Sequence, residues 1–583
     1  MRKPILLQLL SLSLATVALP VAASERAPNI VLILADDLGF SDIQSYGSEI
    51  NTPALDTLAQ QGMRFSNYHT AASCAPTRAM LLTGVDSHRN GVPNIPEAMP
   101  GSQRSAPNYQ GVLSKGVVTV ATLLRDAGYH TYMSGKWHLG KSPDLLPSQR
   151  GFDRTVALAD TGADNWEQRP YLPMYKAANW YADGEPHTLP EDFYSSRYLV
   201  DKAIEFIDSN RDDGKPFFSY LAFQAVHIPV QAPREFTERY LDRYEKGWTE
   251  LRAERARRAR ELGLVPPDAD FLTMPTTADW NALSEAERRH YAKRMAVYAG
   301  MIEAMDHHIG RLIDHLKAIG EYDNTVFVFT SDNGPEASDP VGQIGWPLQL
   351  WLWGTGYNRD YDTLGERSSF TVIGPGFASA AASPLAYYKF YAGEGGMRVP
   401  LIIAGPGISK GLSPALTYVT DITPTLLALS GARTPAPTFE PITGKNLRPL
   451  LQGTREDVRT ENDVIGYELG GNAALFKGDY KIVLNRSPVG DDTWRLFNIR
   501  RDPGETRDLA TAERERLQSM LADYNAYVRD NNVLPVPDGY DQRRQVTLNS
   551  IRARSPELTL GAGALLLGIG GTIAVWQRRR KRV

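Results

Sequence analysis

The chain has 583 residues, of which 42% are hydrophobic and 22% charged, and its formal net charge is −4. This length exceeds the ~250–300 residues at which one hydrophobic core stops growing, so we expect one large domain and a smaller one. The composition excludes a disordered chain, a collagen and a polytopic membrane protein. Without the basic ends, 1–23 and 558–583, the body carries a net charge of −11. An acidic body argues against nucleic-acid binding, which requires a basic face.

The first 23 residues have the layout of a secretory signal peptide. Arg2 and Lys3 precede an apolar run over 5–19, and small residues follow at 21–23. An uncleaved anchor is the alternative, but the run is short for a membrane span. We therefore predict export of the body to the periplasm or the extracellular space.

The C-terminus carries a second hydrophobic segment. Residues 558–576 are 19 residues without a charge, and five basic residues follow within 577–583. A helix of this length is close to the ~30 Å of a bilayer core, and basic residues mark the cytoplasmic side. We predict a transmembrane helix that anchors the exported body in the inner membrane, with a basic cytoplasmic tail. The segment also resembles a bacterial C-terminal sorting signal that is removed after export, and this alternative stays open.

Nearly continuous apolar runs alternate with helical patterns along the body. Such runs predict strands that are buried on both faces, and they cover Asn29–Ala35, 129–133, 217–223, 325–330 and 399–404. Apolar residues at spacings of three and four predict helices over 119–127, 198–207 and 298–316. The alternation indicates an α/β domain with a large, mostly parallel, mixed central sheet flanked by helices.

The pattern changes after residue 410. Short strands around 480–484 and 494–498 predict a smaller C-terminal subdomain with an antiparallel sheet. We divide the chain into a signal peptide (1–23), an α/β domain (24–410), the smaller subdomain (411–545), the hydrophobic segment (558–576) and the basic tail (577–583). The arginine-rich stretch 252–260 is interpreted as a solvated helix face. The aromatic stretch 346–353 is interpreted as a buried hairpin or a substrate wall rather than a membrane-facing patch.

Polar residues follow each of the five predicted strands, where open α/β sheets place their sites. They are Asp36 and Asp37, Lys136 and His138, His227, Asp332 and Asn333, and the glycine-rich turn 405–407. Each could instead cap a helix or form a polar turn. Their shared placement favours a single functional site.

Oxygen ligands and cations dominate this set. Asp36, Asp37, Asp332 and Asn333 offer only oxygen atoms, which suit Ca²⁺ or Mg²⁺. One cysteine and the absence of a His-x-x-x-His motif in the sequence give no indication of zinc. The cationic residues would face an anionic group, which needs electrostatic stabilisation during transfer; they are Arg78, Lys136, His138, His227 and Lys389.

Cys74 is the only cysteine of the chain and begins the pentapeptide Cys74-Ala75-Pro76-Thr77-Arg78. A lone cysteine is usually a packing residue, and this one has no partner for an intramolecular disulfide. The pentapeptide, however, resembles the sulfatase signature Cys-x-Pro-Ser/Thr-Arg. The resemblance extends over most of 28–510 through Asp36-Asp37 and the segments 135–138, 330–334, 394–396 and 496–498. The later spacing, through 361–365 and Lys389, is most similar to that of bacterial arylsulfatases.

The resemblance implies an alkaline-phosphatase-like fold and a sulfuric ester hydrolase that acts on aryl sulfates. It implies that a formylglycine-generating or equivalent maturation enzyme oxidises Cys74 to formylglycine (3-oxoalanine). It also implies that Ca²⁺, in preference to Mg²⁺, is held by Cys74 and by the four oxygen ligands named above. The partner is then a small-molecule or glycan sulfate ester.

The resemblance assigns roles in a two-step reaction. One hydroxyl of the hydrated aldehyde, activated by Asp332, attacks sulfur, and Lys389 or His227 protonates the leaving alcohol. His138 then deprotonates the second hydroxyl, and sulfate leaves. Two cations complete the assignment: Arg78 holds the hydroxyl oxygen, and Lys136 bridges the nucleophile and a sulfate oxygen.

Two other functions share parts of this pattern. A phosphonate monoester or phosphodiester hydrolase would use the same aldehyde, but the pair Lys136–His138 and the segment 394–396 lean toward sulfate. A pseudoenzyme that binds sulfated glycans would lack some of these residues, and none is missing. Sulfated sugars and alkyl sulfates stay open beside aryl sulfates. Three aromatic residues expected near the site favour a ring: Trp137, Tyr357 and Tyr361.

Overall fold

A computed structural model describes residues 26–554. The predicted signal peptide, the hydrophobic segment 558–576 and the basic tail lie outside the described residues. Within 26–554, no helix combines the length and the apolar character needed to cross a membrane.

The secondary structure of the described chain follows an α/β order with a β-rich end. The strands are β1 (Asn29–Ala35), β2 (Met63–Phe65), β3 (Tyr68–His69), β4 (His130–Lys136), β5 (Arg154–Leu158), β6 (Trp180–Ala182), β7 (Glu185–Pro186), β8 (Phe217–Ala222), β9 (Thr325–Ser331), β10 (Leu401–Ala404), β11 (Gly411–Ser413), β12 (Thr417–Tyr418), β13 (Val464–Leu469), β14 (Asn472–Lys477), β15 (Tyr480–Leu484) and β16 (Arg495–Asn498). The helices are α1 (Pro53–Gln61), α2 (Cys74–Thr83), α3 (Ser87–Asn90), α4 (Val120–Asp126), α5 (Ser195–Asn210), α6 (Arg234–Thr237), α7 (Gly247–Glu261), α8 (Glu285–Ala318), α9 (Pro340–Ile344), α10 (Trp346–Gly354), α11 (Gly374–Ala381), α12 (Glu394–Met397), α13 (Ile422–Ser430), α14 (Arg448–Leu451) and α15 (Arg514–Asp530). Residues 542–554 are also helical and are named the C-terminal helix below.

A ten-stranded sheet forms the centre, in the order β11-β2-β10-β9-β1-β8-β4-β5-β6-β7. The neighbours β9, β1, β8, β4 and β5 run parallel. Every residue of β1 is buried, because alternate side chains enter the hydrophobic clusters on the two faces of the sheet. Helices α1, α5, α7, α8 and α11 cover one face, while α2, α4 and α13 cover the other. The predicted mixed α/β sheet with flanking helices is confirmed.

Two strand predictions need correction. The strand predicted over 129–133 continues to Lys136, so Gly135 and Lys136 belong to the end of β4. The strand predicted over 399–404 is β10, and it runs antiparallel to β9. Its carboxyl end therefore lies at the opposite edge of the sheet from Asp36. The turn 405–407 was wrongly grouped with the site, because an apolar run gives no information on strand direction.

The C-terminal part contains the expected small antiparallel sheet, β13-β14-β15-β16. Helix α15 packs on this sheet through Met520, which contacts Leu475, Ile482 and Leu496. The boundary at residue 410 stays a prediction. After α15, the chain returns to the large sheet, where Asn549 of the C-terminal helix donates hydrogen bonds to the Glu97 and Met99 carbonyls at 2.8 and 3.1 Å.

The arginine-rich stretch is only partly the solvated face that was predicted, because Arg257 is exposed but Arg252 and Arg255 are buried. Arg255 is 0% exposed, and its guanidinium pairs with Asp42 at 2.6 Å and Glu49 at 2.9 Å. Arg252 is also buried and donates to the Leu385 carbonyl at 2.9 Å. These two arginines attach α7 to the loops beyond β1 and α11, so charge density in the sequence was misread as exposure.

Candidate active site

Four parallel strands bring the predicted site residues to one edge of the sheet. In the β1–β9 register, Ala35 is opposite Ser331, so Asp36 and Asp332 follow at the same level. The segment after β8 is tied to β1 by backbone hydrogen bonds between Asp36 and the pair Ala225 and Val226 (2.8 and 2.7 Å). His227 thereby reaches the same edge, and Lys136 reaches it from the end of β4.

Helix α2 supplies the cysteine and the first cation. Cys74 is its first residue, and Pro76 is tolerated in this first turn because the backbone N–H groups there have no helical acceptor. Arg78 follows four residues later on the same helix face. Its Nε and Nη2 donate to Asp332 Oδ2 at 2.9 and 2.7 Å, and its Nη1 donates to the Lys136 carbonyl at 2.8 Å. The spacing of the pentapeptide therefore joins α2 to both β4 and β9.

Cys74 lies against the carboxylates and is only 1% exposed. Its Sγ is 4.0 Å from Asp37 Oδ1. Asp37 also accepts from Lys389 Nζ at 2.7 Å and from Asn333 Nδ2 at 2.7 Å. Asp36 Oδ2 accepts from Lys136 Nζ at 2.6 Å. The structure thus gathers the predicted cysteine, acids and lysines into one buried cluster.

Two oxygens of this cluster lack a partner. Asp36 Oδ1 and Asn333 Oδ1 are buried, and neither has a hydrogen-bond partner among the described residues. An unsatisfied buried polar atom costs about 1–3 kcal/mol, and a cation bound between such oxygens removes that cost. Burial also raises the pKa of Asp36 to about 8 and that of Asp37 to about 6. Both observations fit a hard cation held by oxygen ligands.

One potential metal ligand, His227, was predicted from the sequence as an acid for the leaving group and not as a ligand. Ligand atoms of Asp36, Asp37, Cys74 and His227 all lie within 4.8 Å of one another. Asp332 is already engaged, because its Oδ1 accepts from the Asp37 N–H at 3.1 Å and its Oδ2 accepts from Arg78. His227 Nε2 is 3.6 Å from Asp37 Oδ2, so it faces the centre of the cluster.

Lys389 and His227 differ in protonation. Burial opposes the charge of Lys389, but Asp37 holds its pKa well above the ordinary value. Burial and the charge of Lys389 hold the pKa of His227 well below its ordinary value. The His227 Nδ1–H donates to the Ile228 carbonyl at 2.8 Å, which leaves a lone pair on Nε2. Lys389 therefore carries a proton that it can donate, and the neutral His227 ring does not.

His138 is oriented by a residue that the sequence reasoning missed. Its Nε2–H donates to Glu97 at 3.2 Å, and Tyr175 also donates to Glu97. Burial acts against ionisation of Glu97, but the adjacent His138 outweighs it and lowers the pKa of Glu97 to about 2. Burial lowers the pKa of His138 itself. The His138 Nδ1 is buried without a partner among the described residues, so it is available as an acceptor.

A cavity of about 680 Å³ opens onto Cys74, His227 and Lys389. Tyr171, Trp351, Phe370 and Phe390 contribute aromatic rings to its lining. The three aromatic residues predicted near the site do not line this cavity of the described chain. Trp137 is fully buried and packs on Phe152, Tyr357 stacks under Arg169, and Tyr361 contacts Arg289 and Lys293. Proximity in sequence to motif residues was a poor guide here.

The segment 394–396 supports the fold around the site. Glu394 accepts from Lys481 of β15 at 2.9 Å and lies 3.0 Å from His69 Nε2. Gly334, after β9, donates its N–H to the Gly396 carbonyl at 3.0 Å. A Cβ at Gly334 would lie 1.8 Å from the Gly395 carbonyl oxygen, which excludes any side chain there. Glu394 thus contacts structural partners, and the segment 394–396 packs against the chain that follows β9.

Comparison with known proteins agrees with this geometry. The family model described as Sulfatase matches residues 28–432. The chain is 35% identical to an uncharacterized sulfatase of Schizosaccharomyces pombe, over 89% of this chain and 96% of that protein. It is 37% identical to an arylsulfatase of Klebsiella aerogenes, over 70% of this chain and 88% of that protein. The crystal structure of Ps i-CgsB superposes with a TM-score of 0.62 at 25% identity, and the match covers 90% of this chain and 98% of that one. The chain belongs to the sulfatase family, and it is a sulfuric ester hydrolase.

Proposed function

We propose that this protein is an exported sulfatase that hydrolyses sulfate monoesters, aryl sulfates among them. It uses a formylglycine made from Cys74 and a Ca²⁺ ion held by Asp36, Asp37, Asp332 and Asn333. The observation that supports this most directly is that ligand atoms of Cys74, Asp36 and Asp37 lie within 4.8 Å of one another. In the same cluster, Asp36 Oδ1 and Asn333 Oδ1 have no hydrogen-bond partner among the described residues. The name of the Klebsiella aerogenes relative supports aryl sulfates as substrates.

The charge balance of the cluster supports binding of an anionic ester. Three carboxylates, Asp36, Asp37 and Asp332, face three cations, Arg78, Lys136 and Lys389. Bound Ca²⁺ would supply a Lewis acid, and the modified Cys74 would supply the nucleophilic hydroxyl. A bound cation would favour the ionised form of all three carboxylates, which the three cationic side chains then balance. The two positive charges of the ion would remain in excess and would attract a sulfate ester electrostatically.

The proton transfers follow from the protonation states. Lys389 is the residue of the pair that holds a proton, so we assign it as the acid that protonates the leaving alcohol. His227 presents only a lone pair at Nε2, so it supplies no proton to the leaving group and could instead act as a further ligand of the cation. His138, held by Glu97 through Nε2, accepts at Nδ1 the proton whose removal sulfate release requires. This is the base-and-orienter arrangement of hydrolytic triads.

The location of the enzyme is a separate part of the proposal. The sequence pattern of 1–23 supports export, and that of 558–576 with its basic tail supports a C-terminal membrane anchor. Protease added to spheroplasts should digest the body and spare the tail. Digestion of the tail with protection of the body would contradict this topology.

Replacement of Cys74 by serine tests the chemistry. Serine fits the buried position, but it lacks the second hydroxyl that releases sulfate, so turnover should fall by at least about 10⁴-fold. Sulfate release on an aryl sulfate measures the loss, and intact-mass analysis shows whether a sulfated protein accumulates. Wild-type turnover of Cys74→Ser in a host that makes formylglycine would refute the proposal. An aryl phosphodiester, assayed in parallel, distinguishes the phosphodiesterase alternative.

A further inference from the structure

The cavity above Cys74 has mostly apolar walls that the catalytic proposal does not explain. Its lining surface is largely apolar, and the apolar side chains in it include Leu172, Leu348, Trp351, Phe370, Val546 and Ile551. Polar and charged side chains also reach it; they include Glu97, Thr161, Glu336, Ser338, Gln343, Gln542, Arg543, Arg544, Thr547, Ser550 and Arg554. Of the buried charged cluster, Lys389 lines the floor of the cavity together with Cys74.

Helix α10 builds one wall with one of its faces. Leu348 and Leu352 are buried, and Trp351 lies between protein and cavity. Trp346 and Trp353 are 73% and 76% exposed, on the outer side of the helix. The aromatic stretch is therefore a helix with a wall face and an exposed face, and the buried hairpin that the sequence suggested is wrong.

The C-terminal helix builds another part of the wall. Val546 and Ile551 line the cavity, and Leu548 points away from it, 48% exposed. The helix is held by protein contacts, among them the bonds of Asn549 to the Glu97 and Met99 carbonyls. Arg554 donates to the Pro173 carbonyl at 2.6 Å and to the Tyr175 carbonyl at 2.9 Å. The apolar wall is therefore fixed by contacts that do not depend on an occupant.

The volume of the cavity and its apolar lining determine which alcohol portion of the ester can bind. A cavity of roughly 150 Å³ holds a benzene ring, so about 680 Å³ exceeds the need of a simple aryl sulfate. A sugar would lose water from several hydroxyl groups, and each needs a hydrogen-bond partner in return. Apolar walls instead favour the binding of apolar groups, because each methylene group that leaves water for the cavity lowers the free energy of binding.

We propose that the site is built for sulfate monoesters of apolar alcohols larger than one aromatic ring, such as long-chain or fused-ring alcohols. The ester group lies at Cys74, and the alcohol portion lies between α10 and the C-terminal helix. This inference rests on the proposed sulfatase function and specifies its substrate class.

A homologous series of primary alkyl sulfates tests the inference. All members have leaving groups of nearly equal basicity, so changes in kcat/KM report the cavity rather than the chemistry. From butyl to decyl sulfate, below the concentrations at which they form micelles, we expect kcat/KM to rise roughly threefold to fourfold per methylene group. Glucose 6-sulfate is also the ester of a primary alcohol, and it should react at least about 100-fold more slowly than decyl sulfate.

Two pairs of variants locate the effect. Trp351→Ala should flatten the chain-length dependence, while Trp353→Ala on the exposed face of the same helix should retain it. Ile551→Asp should lower kcat/KM for decyl sulfate at least about 10-fold, and Leu548→Asp should leave it unchanged. Equal effects within each pair would refute the assignment of the walls.

The outcomes separate this inference from the proposed function. Activity on 4-nitrophenyl sulfate with a flat alkyl series, or with a preference for glucose 6-sulfate, refutes the substrate class and leaves the sulfatase proposal intact. Absence of activity on every sulfate ester, in protein whose formylglycine is verified by mass, refutes both.

Discussion

Two clusters of buried charges differ in whether each of their carboxylate oxygens has a hydrogen-bond donor among the described residues. The reaction cluster consists of Asp36, Asp37, Arg78, Lys136, Asp332 and Lys389. The junction cluster consists of His69, Glu394, Arg398, Lys481 and Glu505. All of these residues are buried.

In the junction cluster, each carboxylate oxygen has a donor. Lys481 donates to Glu394 and to Glu505 at 2.9 Å each, and the remaining Glu505 oxygen accepts from the Glu394 N–H at 3.0 Å. Arg398 lies 3.4 Å from the second Glu394 oxygen. In the reaction cluster, Asp36 Oδ1 and the neighbouring Asn333 Oδ1 have no partner in the described chain.

This difference in hydrogen bonding indicates that the junction cluster stabilises the fold, whereas the reaction cluster binds a ligand. Satisfied pairs hold β15 and α12 together, and removing one member leaves another charge buried alone. A cluster with unsatisfied oxygens is incomplete as folded, and its stability depends on what binds there. The same residue types therefore predict opposite responses to substitution.

The largest contrast should come from Asp36→Asn. The amide keeps the shape but removes the negative charge, so Ca²⁺ content should fall below stoichiometric and turnover should fall by about 10³-fold or more. Because burial already raises the pKa of Asp36 to about 8, the neutral amide should change the unfolding free energy in chelator by less than about 1 kcal/mol. Metal analysis by mass spectrometry and urea unfolding measure both. Full Ca²⁺ occupancy in the variant would show that the ion lies elsewhere.

Lys481→Met should produce the converse result. It leaves Glu394 and Glu505 facing each other in the protein interior, which costs about 3–5 kcal/mol of unfolding free energy. Lys477→Met is the control on the neighbouring strand, because its pair with Asp523 is partly exposed and worth less than about 1 kcal/mol. Equal midpoints in urea for the two variants would remove the distinction between the clusters.

Lys389→Ala should show that the reaction cluster moves a proton. The loss of kcat/KM should be roughly 10²-fold greater on an alkyl sulfate than on 4-nitrophenyl sulfate, whose leaving group needs little protonation. His227→Ala is the comparison, and its losses on the two esters should be similar because its ring is neutral. Equal losses on both esters for Lys389→Ala would assign that lysine to binding alone.

The smallest expected effect is a pH dependence of the unfolding free energy that arises from His88, which contacts Glu468 of the C-terminal sheet. Burial opposes protonation of His88, but hydrogen bonds to Asp86 and Glu468 raise its pKa to about 9. Because the pKa of His88 is higher in the folded state than in the unfolded state, the charged ring stabilises the fold. This contribution to the unfolding free energy is complete below pH 6.5 and is lost as the pH rises through 9. The wild type should lose about 2 kcal/mol more than His88→Asn between pH 6.5 and 9 in urea titrations. Parallel pH profiles would exclude this contribution.

The sequence predicted the features that local patterns determine. The bounds of β1 and β15 match the predictions, since continuous apolar runs mark buried strands. The gathering of Cys74, Asp36 and Asp332 followed from motif resemblance and from their positions after strands. Features that depend on long-range packing were missed. Glu97 lies in an irregular loop and accepts a hydrogen bond from His138. Arg255 of α7 pairs with Asp42, which lies in the segment after β1.

The cavity wall was also beyond the reach of sequence patterns. Val546 and Ile551 lie more than 150 residues beyond Lys389 in the chain, and nothing in their local sequence signals a return to the sheet edge. The direction of β10 is a similar case, because the same run of apolar residues suits a parallel or an antiparallel neighbour.

The C-terminal helix has a consequence for how this enzyme diverges from its relatives. It and α10 form the cavity wall, yet none of the residues assigned to bond breaking resides on either segment. Substitutions in the C-terminal helix can therefore change which sulfate esters are accepted without altering the residues that carry out the reaction. Transplanting this helix between relatives would then carry preference for the alcohol from one enzyme to another.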